Sequence, residues 1–404
     1  MKTASAYKAK TRSLSVSNIL ALSTIMVALT ACGGGGDGSG SSSTSTSGGS
    51  TTTAPQQDAV SQSSAALVAQ TGATAVPGTT STAQAFDLTA DIGDTWRVVL
   101  NQDGSFTIKV LSTQYGLSDI SGTYTQSTSG SVTTYTGTST NGSFTLKLDT
   151  RTRIIGGNVV LRTRNSSVAG SGYSVPSDTT KLAGDYFFIG TSRNASNGGV
   201  PAFMGGTFRI AANGTDVTLC DSGLINASGT CNAVSGSSTP GQYALKLVKN
   251  AADGLIHVQQ NGSDFGILSF QAGDRGPVLV IDRFGYNQDT PPVLRTGVFY
   301  AGKQQVLSGT ELNGTWTCSD RGAVFGTVTI NGTTVKTADT SGASTAETLY
   351  FNDISTNTGL VAANGAATSV VNGQAPSAGV IVLPLSSSMF AVERDAAQSV
   401  GVCR

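Results

Sequence analysis

Trp96-Arg97-Val98-Val99-Leu100-Asn101-Gln102-Asp103-Gly104-Ser105-Phe106-Thr107-Ile108-Lys109-Val110 is the stretch that decides the fold class. Trp96, Val98 and Leu100 fall on every second position, and so do Phe106, Ile108 and Val110. Successive side chains of an extended chain point to opposite faces, so this spacing lays one face of each segment against a core. Asp103-Gly104 lies between the two runs and supplies the positive φ of a tight turn. The stretch therefore reads as an antiparallel hairpin.

The same pattern recurs outward from it. Phe144, Leu146 and Leu148 alternate, as do Tyr186 with Phe188, Phe208 with Ile210, and Tyr243 with Leu245 and Leu247. Val278 to Ile281 and Ile381 to Leu383 are unbroken apolar runs, which read as central strands. Turn signals recur at Asn213-Gly214, Asp253-Gly254, Asn261-Gly262, Asn331-Gly332 and Asn364-Gly365. Many short strands at this spacing predict an all-β fold of antiparallel barrel or sandwich modules over 86–404.

A repeat is faintly visible. Ile120-Ser121-Gly122-Thr123-Tyr124 matches Leu182-Ala183-Gly184-Asp185-Tyr186 and Leu312-Asn313-Gly314-Thr315-Trp316. Each is followed by a strand opening with glycine, at Gly142, Gly206 and Gly326. The intervals differ, which excludes a solenoid of constant period. The matches suggest modules over 86–179, 180–307 and 308–404.

The first 85 residues differ in character. Lys2, Lys8, Lys10 and Arg12 precede an apolar stretch from Leu14 to Ala31 that ends in Leu29-Thr30-Ala31-Cys32. A basic head and a short apolar core make a secretory signal over 1–31. The tetrapeptide resembles the lipobox of bacterial lipoproteins. That resemblance implies a diacylglyceryl group on the Cys32 sulfur, cleavage before Cys32 and acylation of the new amino terminus. Gly33 stands where an aspartate signals inner-membrane retention in such lipoproteins, which implies sorting to the outer membrane of a Gram-negative cell. Residues 32–56 follow as a Gly/Ser tether with almost no apolar surface, expected to be disordered and to span roughly 25–30 Å. Over 57–85 the chain is either further linker or a short helix from Ala59 to Gln70, with Val60, Leu67 and Val68 on one face. In layout the chain loosely resembles surface lipoproteins of Gram-negative bacteria, whose antiparallel barrels hang from glycine-rich tethers.

Chemistry-bearing residues are sparse. Four cysteines besides Cys32 in an exported chain suggest two disulfides. Cys220 and Cys231 form the natural local pair, which leaves Cys318 for Cys403. No C-x-x-C occurs, and the sole histidine is His257, so a metal site is not expected. His257 sits in a predicted strand, Leu255 to Val258, and reads as a partly exposed strand residue rather than a general base or ligand. The G-x-S-x-G elbow and a lysine-bearing phosphate loop are both absent. Asp274, Asp282 and Asp289, near Arg275 and Arg283, lack the spacing of a calcium loop and read as solvated surface.

With 24 basic and 24 acidic side chains the chain is neutral, and loss of the signal leaves about −4. No basic footprint points to nucleic acid, and no cofactor is implied. One basic feature stands out. Arg151 and Arg153 precede Gly156-Gly157-Asn158, and Arg162 and Arg164 follow it. A hairpin turning at the glycines would set Arg151 opposite Arg164 and Arg153 opposite Arg162, a face suited to an anion such as lipopolysaccharide phosphate or an acidic envelope glycan. The functional expectation is a binding or structural lipoprotein held to the bilayer through acylated Cys32, more a non-enzyme than an enzyme. The alternative is a hydrolase of envelope polymer or exported polyester, with a site assembled from distant loops.

Overall fold

The computed structural model describes residues 58–195, 201–234, 240–286 and 291–404. The signal, the lipobox, Cys32, the tether and Asp289 lie outside them. The chain folds as three closed antiparallel barrels of eight strands each.

Barrel 1 is an uninterrupted meander. Its strands are β1 (Ala83–Ala90), β2 (Asp94–Asn101), β3 (Ser105–Ser112), β4 (Ile120–Ser129), β5 (Val132–Ser139), β6 (Gly142–Asp149), β7 (Ile154–Leu161) and β8 (Arg164–Ser171), with β8 closing on β1. The opening hairpin forms as its pattern dictates. Trp96, Val98, Leu100, Phe106 and Ile108 all enter the barrel core. Gly104 takes φ 83°, and the Asp103 carboxylate accepts the Ser105 N–H at 2.9 Å, which holds the turn.

Barrel 2 comprises β9 (Gly184–Asn194), β10 (Ala202–Ile210) and β11 (Asp216–Asp221), then a small side hairpin of β12 (Gly223–Ile225) and β13 (Cys231–Ala233). It continues with β14 (Gly241–Lys249), β15 (Ile256–Gln260), β16 (Ser263–Gly273), β17 (Gly276–Arg283) and β18 (Arg295–Lys303), which closes on β9. Barrel 3 runs through β19 (Gly314–Asp320), β20 (Ala323–Asn331), β21 (Thr334–Asp339), β22 (Ser344–Thr356), β23 (Gly359–Val371), β24 (Val380–Ser386), β25 (Met389–Arg394) and β26 (Ser399–Cys403), which closes on β19.

Barrels 2 and 3 start with the same lock. The Tyr186 hydroxyl donates to the Leu182 carbonyl at 2.6 Å, and the Trp316 indole N–H donates to the Leu312 carbonyl at 2.8 Å. Each aromatic ring fills a core while its polar tip satisfies the carbonyl one turn upstream. The third match, Ile120 to Tyr124, falls on β4 inside barrel 1 and opens no barrel. Asn364-Gly365 is likewise no turn. It lies within β23 as a bulge, where pairing jumps from Phe351↔Ala367 to Asp353↔Ala362. Gly365 has φ 87°, so the positive φ that Asn-Gly supplies serves the bulge instead.

Helix α1 (Ala59–Thr71) precedes barrel 1 but packs on barrel 2. Asp58 caps its start by accepting the Ser61 N–H, and Gly72 ends it at φ 67°. Leu67 joins the barrel 2 core beside Leu182 and Tyr186, and the Ser64 hydroxyl donates to the Ala272 carbonyl at 2.7 Å. The helix thus ties the chain's entry to the middle barrel.

A fourth apolar cluster lies between the barrels. Phe187, Val278, Val280 and Tyr300 on the outer face of barrel 2 meet Ile154 and Ala169 of barrel 1 and Ile381, Leu383, Met389 and Val402 of barrel 3. This explains the unbroken runs. In β17, Leu279 and Ile281 fill the barrel while Val278 and Val280 fill the interface. Burying such a side chain contributes about 1.5–3 kcal/mol, so the shared cluster is large enough to hold three barrels as one body.

Candidate functional site: the clefts between barrels

The cores of all three barrels are filled by packed side chains, to which helix α1 adds Leu67 in barrel 2. The sizeable cavities among the described residues line the outer walls, where one barrel meets another or a turn folds over.

The expected arginine face does not form. The glycines at 156 and 157 lie inside β7, paired to Lys147 and Leu146 of β6, and the turns fall at 150–153 and 162–163. Arg151 and Arg153 therefore sit at one end of β7, and Arg162 and Arg164 at the other. Arg151 is locked to Asp149 by Nε and Nη2 at 3.0 and 2.8 Å. The Arg153 guanidinium lies 5.2 Å from the Tyr173 ring centroid, and that of Arg164 lies 4.2 Å from Tyr115. Arg162 lines an open surface dent at the far end. A glycine pair signals either a turn or a close approach, and here it is the second. A β carbon on Gly156 would overlap the Arg404 guanidinium, which reaches across from barrel 3.

His257 is buried rather than partly exposed, because carboxylates cover both ring nitrogens: Asp264 2.9 Å from Nδ1 and Asp253 2.9 Å from Nε2. Burial pushes its pKa down, but bonds to Asp253 and Asp264 outweigh this and raise it. Both ring nitrogens are thus engaged by carboxylates, which favours the protonated ring. Asp274 and Asp282 stand at opposite ends of β17. Asp282 is fully buried rather than solvated and accepts the Thr95 hydroxyl across the barrel 1–2 contact at 2.5 Å. Burial raises its pKa well above the ordinary carboxyl value. Asp274 accepts the Ser387 N–H of barrel 3 at 2.8 Å. Each of these two acids bridges barrel 2 to a different neighbour, Asp282 to barrel 1 and Asp274 to barrel 3.

Both disulfides are present as Cys220–Cys231 and Cys318–Cys403. The first ties the side hairpin to β11. The second joins the first and last strands of barrel 3, at a short seam where Cys318 pairs with Cys403 and Ser319 with Val402. It also fixes Arg404, whose N–H and carbonyl both bond Thr317.

Asp91 is where the three barrels meet through polar bonds. Its carbonyl accepts Arg193 of barrel 2 at 3.1 Å, and its carboxylate accepts the Arg321 N–H of barrel 3 at 2.6 Å. Burial first, and then the nearby Asp320 charge, raise its pKa to about 7. No local pattern marks Asp91, because its partners, Arg193 in β9 and Arg321 in the turn after β19, lie about 100 and 230 residues away.

The cleft between barrels 1 and 3 has the most distinctive chemistry. A cavity of about 240 Å³ is lined by Lys147, Asp149 and Arg151 of barrel 1 and by Asn313, Thr315, Trp316, Ser387, Ser388 and Arg404. It shares Lys147 and Arg404 with a second cavity of about 130 Å³ beside Gly156 and Asn158. The Arg404 Nη1 donates to the Val168 carbonyl at 2.6 Å and Nη2 to the Met389 sulfur at 3.1 Å. Its Nε–H and the Ser387 hydroxyl are shut off from solvent and have no partner. Burial lowers the Arg404 pKa to about 10, so it is charged at neutral pH. Nothing in the pattern of strand residues marked Lys147 or Arg404. Only the docking of barrel 3 brings them to one cavity.

Comparison of the sequence with protein-family models and with curated proteins finds no match.

Proposed function

We propose that this chain is a lipoprotein held on the outer membrane through acylated Cys32, and that its three-barrel body is a binding or structural module. The observation that carries this reading is the filling of the barrel interiors, which leaves the inter-barrel clefts as places for a ligand. Clefts walled by two packed barrels are preformed, which lowers the ordering cost of binding. The hydrolase alternative draws no support from His257, whose partners are Asp253, Asp264 and, at 3.3 Å, Asn250. The test is co-sedimentation of the full detergent-solubilised chain with purified envelope polysaccharide and with lipopolysaccharide. Retention of the protein with polymer of unchanged length is expected. Depolymerisation, or no retention by any envelope fraction, would overturn the reading.

A further inference from the structure

Within that binding reading, on which this inference rests, we infer that the cavity between barrels 2 and 3 takes a primary ammonium group on a short apolar stem, its charge held by Glu393. Strand alternation sets the position of Glu393. Met389 and Ala391 face the interface with barrel 2, while Phe390 and Val392 belong to the core of barrel 3. Glu393 lies two residues beyond Ala391 and so shares the interface side. It lines a cavity of about 200 Å³ together with Phe187 and Phe203 of barrel 2, Val234 beside the side hairpin, and Ile354 and Ile381 of barrel 3.

Three observations point to a cation. Glu393 has no counter-charge. It is the one charged side chain among the described residues that lines the cavity, and the charge acting on it is that of Asp395, another acid. Arg394, next along the strand, lies over the Phe325 ring and donates to Asp320 at 2.7 Å. Residues 196–200, 235–239 and 287–290 contain no lysine or arginine. Next, the carboxylate keeps a free face. Oε2 accepts the Ile381 N–H at 2.9 Å, whereas Oε1 accepts nothing among the described residues and is not shut off from solvent. One open oxygen suits a compact ammonium better than the two-pronged fork of a guanidinium. Finally, the walls suit a stem. The Ser355 and Thr356 hydroxyls that line the cavity already donate to the Gly379 and Gly359 carbonyls, and the aromatic and aliphatic side chains offer apolar contact. Each methylene buried there should tighten binding about fourfold.

Burial, with Asp395 adding to it, raises the Glu393 pKa to about 7. No titratable side chain of barrel 2 or of the β22–β23 turn lines the cavity among the described residues. A bound ammonium favours the ionised carboxylate, so binding should strengthen as pH rises through 7 while an alkylamine stays charged.

The experiment is titration of the full chain with n-butylammonium and with 1-butanol, a neutral probe of the same length, followed by calorimetry and by saturation transfer to the probe's methyl protons. Butylammonium should bind at least tenfold more tightly than butanol at pH 8, and about tenfold more tightly at pH 8 than at pH 6. Glu393→Gln, checked by unchanged melting, should bring butylammonium down to the level of butanol, and Glu393→Asp should recover part of the difference. The comparison of the two probes on the unaltered protein stands whether or not the variants fold. Equal binding of butylammonium and butanol would overturn the inference while leaving the cavity as an apolar binding site. Butylammonium binding indifferent to Glu393→Gln would place the ligand elsewhere and overturn it too. No binding of either probe would also overturn it, and polymer co-sedimentation then decides separately whether the binding-module reading stands.

Discussion

Gly156 of barrel 1 and Arg404 of barrel 3 occupy one another's space: the guanidinium lies where a β carbon on Gly156 would be. The glycine pair in β7 is thus a docking seat for the neighbouring barrel. Gly156→Ala should cost about 1–3 kcal/mol through overpacking. Denaturant unfolding would measure it. Arg404→Ala in the same chain should recover part of the loss, and additive effects of the two changes would show the contact to be idle.

The seam disulfide should matter more than the local one. Cys318 and Cys403 are 85 residues apart and Cys220 and Cys231 are 11 apart. In the chain-entropy picture, replacing Cys318 and Cys403 by serine costs about 4–5 kcal/mol, against about 3 kcal/mol for the short loop. Non-reducing peptide maps should recover both pairs, and melting of the two double-serine variants should rank them in that order. The reverse rank would show that barrel 3 closes without its staple.

Stability should fall as pH rises from about 4 to 7. Burial raises Asp91 to about 7 and Asp94 to about 6, from 3.8, so in this window the folded state holds more protons than the unfolded chain. Their stabilising contribution is complete below about pH 4 and is lost as pH climbs through the folded values. The turn aspartates Asp103, Asp216 and Asp339 are held low by hydrogen bonds and act in the opposite sense, but only below about pH 4. Asp91→Asn should narrow the drop in Tm between pH 5 and pH 8 by at least about 2 °C. The Arg193 charge and the Arg321 backbone N–H partly offset the charge of Asp91, so an unchanged drop would assign the slope to other raised acids, Asp94, Asp221, Asp282 and Glu393.

Anchoring is tested at Cys32. Cys32→Ala should abolish incorporation of a fatty-acid analogue and leave the signal uncleaved by the lipoprotein peptidase. Label persisting in the variant would remove the lipid anchor from the proposal.

The alternation from Trp96 to Val110 was enough for an all-β fold, because a period of two is a property of the extended backbone itself. The apolar runs at Val278 and Ile381 marked strands with little polar face, and the cysteine spacing suggested the two pairings; that the outer face of each run is covered by another barrel came only from the packing. What no local pattern carried was the sense of Gly156-Gly157. A glycine pair permits a turn, and it equally permits the approach of a distant side chain. The same holds for Asn364-Gly365, where positive φ fits a bulge as well as a hairpin. The four arginines looked like one face only under the wrong register, since moving a turn by a few residues carries each side chain to a different end of the sheet. Asp91, Lys147 and Arg404 acquire meaning only when three barrels pack. Their partners lie from tens to hundreds of residues away, and contacts between separately closed barrels leave no periodicity in the chain that makes them.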